Sequence, residues 1–131
     1  MSLKSKGINA ERELIKLLWT KGWMPIRIAG SGSSPLPCPD ILAGKDKRHL
    51  AIECKSSKND NIYLDKIEIE ELIEFSQKFG AEAWIGARFN NMDWFFMTPE
   101  KLKYTGKGYS ISKKNIGEVG MSFEGFLQQN L

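Results

Sequence analysis

The chain has 131 residues, a formal net charge of +3, a single histidine and two cysteines. That length fits one domain, 1–131, with enough chain to bury a core, and no apolar run reaches the roughly 20 residues of a membrane span. His49 alone rules against a histidine-based zinc site or a Ser-His-Asp triad, and Cys38 with Cys54 makes no disulfide framework, which leaves carboxylates, lysine and a bound metal to carry any catalysis.

The opening MSLKSKG leads into no apolar signal region, so a cytoplasmic protein without membrane contact is expected. From about Ile8 to Trp19 the pattern is helical. Glu11, Leu14, Ile15 and Leu18 recur on one face, so Glu11 heads an otherwise apolar stripe while Arg12 and Lys16 fall elsewhere around the helix. Gly22 ends this element, and MPIRIA reads as a short strand. GSGSSPLPCP, residues 30–39, is a loop by its glycines, serines and prolines. ILA and LAIEC then read as two strands joined by GKDKRH. If Ala43 lies opposite Leu50, Asp40 falls opposite Glu53. Alternation puts Glu53 and Lys55 on one face and Leu50, Ile52 and Cys54 on the other.

SSKNDN is a turn, and IYL a short strand. Asp65, with Glu68 three residues on, is a capping-box-like helix start, and Gly80 is a C-terminal glycine. The apolar residues between them, Ile69, Leu72, Ile73, Phe75 and Phe79, span an arc wider than one core face needs. AWIGARF follows as a strand, which makes a strand–helix–strand unit. MDWFFM reads as its hairpin partner, Thr98-Pro99 opens a short helix, and SFEGFLQQ is a terminal helix. The rest of the last thirty residues is weakly patterned.

Charge is uneven along this order. Residues 1–64 hold 11 Lys+Arg against 6 Asp+Glu, residues 65–80 hold 2 against 5, and residues 81–131 hold 6 against 5. An acidic partner is expected to meet the N-terminal half. Glu11, Asp40, Glu53 and Lys55 form the candidate constellation. Three carboxylates brought together repel unless protons or a cation intervene, and Mg2+ or Mn2+ suits an all-oxygen site. Lys55, on the same side as Glu53, is placed to stabilise a charged transition state or a water. Simpler roles stand beside these: Asp40 as a turn cap, Glu53 paired with Lys55, residues 30–39 as a connector, and Phe75 with Phe79 as core.

At these residues the sequence resembles the archaeal Holliday junction resolvases of the PD-(D/E)xK, restriction-endonuclease-like superfamily. The likeness runs through KGINAERELIKLL, RIAGSGSS, PDILAG, AIECKSSK, IYL and LIEFSQKFGAEAWIGARF. It implies an α/β fold with a mixed central sheet flanked by helices, and a homodimer that nicks opposed strands of a four-way DNA junction in recombination and repair. It implies metal and catalytic roles for Glu11, Asp40, Glu53 and Lys55, with Ser31 as the active-site loop serine. Arg12 and Arg27 match basic residues that serve DNA contact or catalysis, and Lys16, Ser31 and Lys58 join them as expected DNA contacts. Phe75 and Phe79 match aromatic residues of the family's dimer. Another nuclease of the same superfamily, of restriction or repair type, and a non-catalytic DNA-binding module are the alternatives; substrate choice separates the first, and the filled metal and lysine positions argue against the second.

Overall fold

The computed structural model describes residues 3–129, with side chains from Gly7 onward, so the extreme ends of the expected 1–131 domain lie outside the described residues. Helix α1 (Leu3–Thr20) leads into three strands, β1 (Met24–Arg27), β2 (Ile41–Lys45) and β3 (Arg48–Ser57). Gly22 ends the helix at φ 88°, a left-handed conformation that glycine adopts without a Cβ clash. The N–H of Trp23 then returns to the Leu18 carbonyl at 3.1 Å. The β1–β2 and β2–β3 pairs are antiparallel, and Ala43 lies opposite Leu50 as the sequence reading has it.

Strand β4 (Asn61–Asp65) and helix α2 (Lys66–Phe79) follow, then β5 (Glu82–Phe89) and β6 (Phe95–Met97). The parallel partner of β5 is β3, paired from Leu50–Glu82 to Ser57–Phe89, rather than the IYL strand beside the helix. The reason lies in burial. Strand β3 is ten residues long and has a buried run from Leu50 to Ile52, as the centre of a two-faced sheet requires. Strand β4 alternates, with only Ile62 and Leu64 buried. It leaves to form a three-stranded sheet with β7 (Lys103–Tyr104) and β8 (Gly108–Ser112), in the order β4-β8-β7.

The main sheet is completed after helix α3 (Ile116–Val119) by β9 (Met121–Ser122), giving the order β1-β2-β3-β5-β6-β9, and α4 (Phe123–Leu127) is the last element among the described residues. One sheet face packs Leu50, Ile52, Trp84 and Phe96 against Leu14 and Leu18 of α1 and Phe126 of α4. Phe126 stacks on Phe96 with centroids 4.1 Å apart. The other face packs Ala51, Ile85 and Ala87 against Ile69 and Leu72 of α2 and Ile62, Leu64 and Ile111 of the small sheet. The expected helix after Thr98 is a 3-10 turn, Pro99–Lys101. The hairpin partner MDWFFM is strand only over its last three residues. The terminal helix is present, with the Ser122 hydroxyl accepting from the Gly125 N–H at 3.1 Å. Among the described residues, no helix is long and apolar enough to cross a membrane.

Candidate active site

The β2–β3 register delivers Asp40 to the middle of β3. Its N–H donates to the Ile52 carbonyl at 3.1 Å, and its Oδ2 accepts from the Cys54 N–H at 2.8 Å. The other carboxylate oxygen accepts from the Ser31 hydroxyl at 2.7 Å. Gly30, at φ 69°, turns the chain into a short 3-10 turn over Ser31–Ser33, which brings the loop back over the aspartate. The segment read as an irregular loop thus has a folded first half anchored on Asp40.

Glu53 lies on the β3 face that carries Ala51 and Lys55, away from Leu50 and Ile52. It is largely covered and makes no hydrogen bond or ion pair with any described residue. Burial, and after it the charge of Asp40, push its carboxyl up to about 8, against the pull of Lys55. Glu11, on α1, is drawn to Arg27, whose Nε–H donates to Oε1 at 3.1 Å. Burial and Asp40 still raise the Glu11 pKa against that guanidinium. The two glutamates therefore both feel Asp40 from opposite sides of the sheet.

Lys55 does not pair with Glu53. Its ammonium donates to Oε1 of Glu68 at 3.0 Å, while Oε2 of Glu68 accepts from the Asp65 N–H at 3.3 Å. Burial works to lower the Lys55 pKa, but the bond and charge of Glu68, together with Glu53 and Asp40, outweigh it and hold the ammonium form. Sequence reasoning missed Glu68 as a site residue: at the third position of α2 its capping role already accounted for it. The backbone N–H of Cys54 is a second such group, and no residue type signals it.

The structure thus brings Glu11, Ser31, Asp40, Glu53 and Lys55 into one electrostatic neighbourhood. Among the described residues, no three Asp, Glu, His or Cys side chains stand close enough to share one ion; Glu11 is bonded to Arg27, and Asp40 to Ser31 and Cys54. Arg12, Arg27 and Ser31 line a cleft of about 550 Å³ together with Glu11 and Gly30. Lys16 is exposed on α1 outside it, and Lys58 is exposed in the turn after β3. Phe75 and Phe79 stack at 5.2 Å on α2, far along the helix from its capped start.

A mixed sheet that seats an aspartate, a glutamate and a lysine at the end of one strand pair places the molecule in the restriction-endonuclease-like α/β class. A family model described as archaeal Holliday junction resolvase (Hjc) matches residues 2–130. The crossover junction endodeoxyribonuclease Hjc of Archaeoglobus fulgidus is 43% identical over 92% of this chain and 93% of its own. That of Methanocaldococcus jannaschii is 38% identical over 90% of this chain and 84% of its own. The solved structure of the A. fulgidus Hjc, a Holliday junction resolvase, superposes with a TM-score of 0.84 at 38% identity, over 91% of this chain and 96% of that one. The chain belongs to the archaeal Holliday junction resolvase family.

Proposed function

We propose that this protein is a structure-specific endodeoxyribonuclease that resolves four-way DNA junctions, that it uses Mg2+ or Mn2+, and that two copies act together as a homodimer. The observation that carries the reading is the setting of Asp40, held by Ser31 and Cys54 beside a charged Lys55 and a half-buried Glu53 that has no hydrogen-bond donor among the described residues. A buried carboxylate without a donor is costly unless protonated or matched by a cation. The all-oxygen donor set of Asp40, Glu53 and Glu11 suits a hard divalent ion.

Bound there, such an ion supplies positive charge to the scissile phosphate and acidifies a water. The chain's own residues do the rest. The two hydrogen bonds on Asp40 fix its orientation before substrate arrives. Lys55 presents an ammonium on the same face as Glu53, where it offsets charge that builds on the phosphate oxygens. Ser31 places a hydroxyl at the rim between Asp40 and the cleft containing Arg12. Arg27 holds Glu11, and a substrate phosphate would compete for the same guanidinium. Exposed Arg12, Lys16 and Lys58 meet backbone phosphates, which positions DNA without reading its sequence.

The test is cleavage of a labelled four-way junction beside a linear duplex of the same sequence, each in Mg2+ and in excess chelator. Paired nicks in the junction, only with metal, are expected. Undiminished cutting in chelator contradicts the metal role, and equal cutting of the duplex contradicts the junction preference.

A further inference from the structure

The net charge of the chain resides on its small sheet. Residues 58–65 and 103–114, which make up β4, β7, β8 and their turns, hold five lysines against Asp60 and Asp65, a balance of +3 that equals the balance of the whole chain. The other residues hold 14 basic and 14 acidic side chains and cancel. Ion pairs neutralise several basic residues elsewhere, among them Arg27, Arg48, Lys55 and Arg88. None of the ammonium groups of the five lysines here, Lys58, Lys103, Lys107, Lys113 and Lys114, makes an ion pair or a hydrogen bond with any described residue, and all five side chains are exposed.

The pairing decides how they are arrayed. Directly opposite residues of an antiparallel pair share a face. Tyr63 pairs with Ser110, and Ser110 pairs with Lys103, so these three form a row on the outward side. Asn61 and Ser112 form the next row. The inward side is taken by Ile62, Leu64 and Ile111, which belong to the core. Tyr63 is 70% exposed in the middle of this face. At one end, the Lys113 N–H bonds the Asp60 carbonyl at 2.8 Å, which sets Lys113 and Lys114 beside the turn that holds Lys58. At the other end stands Lys107. From Lys113 to Lys107 along β8 is about 20 Å at the rise of a strand, or roughly six steps of a nucleic-acid strand.

This track runs beside the active site. Lys58 follows Lys55 by three residues, about 10 Å of extended chain. Strand β4 then returns from that turn to Asp65, whose N–H bonds the same Glu68 that holds Lys55. A row of unpaired ammonium groups, with hydroxyls and amides between them and one exposed aromatic ring, matches a regularly spaced polyanion. Resting on the reading of the protein as a junction nuclease, we propose that the outward face of the β4–β8–β7 sheet is a backbone-contact surface on which a duplex arm of the DNA lies while the strand beside it is cut. Its role is to hold DNA, not to cut it.

The experiment compares the wild-type protein with the triple substitution Lys103→Gln, Lys113→Gln, Lys114→Gln, and with Lys47→Gln in the β2–β3 turn as a control. Binding to a fluorescent four-way junction is titrated in Ca2+ at several salt concentrations, and single-turnover cleavage is followed in Mg2+ at saturating DNA. The triple variant is expected to bind about tenfold or more weakly near 100 mM salt. Its log–log salt slope should be shallower by two to three, about one per lost phosphate contact. Its melting temperature and its saturated cleavage rate should stay near wild type, and the control should match wild type throughout. An unchanged salt slope overturns the proposal, as does a loss of cleavage rate at saturation with binding intact. If the wild-type protein fails to cut the junction, the functional reading falls, while the salt slopes still decide whether this face holds DNA.

Discussion

Glu53 and Lys55 are two residues apart on one face of β3, yet the fold treats them oppositely. Lys55 is given a partner in Glu68 and stays charged; Glu53 is half-buried with none among the described residues, and its carboxyl rises to about 8. A carboxyl whose folded pKa lies above its unfolded value holds its proton more tightly when folded. The stability this contributes is complete below about 4.5 and is lost as pH climbs through about 8. In chelator, the wild-type melting temperature should therefore fall between pH 5 and 9 more steeply than that of Glu53→Gln, which carries no such proton. A divalent cation should restore most of the loss, with the largest gain at the alkaline end. Thermal melts of both proteins across that range check this. Parallel curves would mean that Glu53 is solvated and is not the strained member of the site.

At the scale of elements, the site depends on how the start of α2 docks on β3. Glu68 spans that joint, with one oxygen on the Asp65 N–H and the other on Lys55. Glu68→Gln keeps an oxygen for the cap but removes the charge opposite the ammonium. The expected result is a melting temperature near wild type, junction binding in Ca2+ near wild type, and cleavage slower by about tenfold or more because Lys55 is no longer held in place. Cleavage at the wild-type rate would reduce Glu68 to a helix cap. The same joint shows what the sequence could carry. The β2–β3 register was legible because Leu50, Ile52, Ile41 and Ala43 alternate around a short turn, and with it the delivery of Asp40 to β3. The ends of α2 were legible from Asp65, Glu68 and Gly80, whose φ of 85° suits glycine. The link from Glu68 to Lys55 was not, since it joins elements through space and leaves no local spacing. The small sheet was hidden for a related reason. Its strands are two to five residues long, and Gly108 is required only because a Cβ there would meet the Leu64 carbonyl oxygen, a tertiary proximity that local composition does not encode.

Across the whole molecule, surfaces of different chemistry are separated. Helix α2 turns Ile67 and Phe79 outward, 61% and 52% exposed, among Glu70, Glu71 and Glu74. That acidic, apolar face is a poor match for DNA, and large apolar interfaces are characteristic of obligate pairs. Because Phe75 also packs on the core, Phe79→Ser is the cleaner probe of the proposed dimer. It should shift the protein toward a one-chain mass in light scattering while leaving its fold intact, whereas a wild-type mass of one chain at micromolar concentration would contradict the dimer. In the proposed function, by contrast, DNA affinity is spread over many lysines and arginines, and cutting is concentrated at Asp40 and its neighbours. Asp40→Asn separates the two most directly. The amide oxygen can still accept from the Cys54 N–H, so the fold is kept while one negative charge leaves the site. The measurement is a four-way junction titration in Ca2+ beside a cleavage time course in Mg2+. Binding equal to or slightly tighter than wild type is expected, since the change removes an anion near the phosphate, together with cleavage reduced by about 10²-fold or more. Cleavage near the wild-type rate, or loss of binding in a folded variant, would contradict the account.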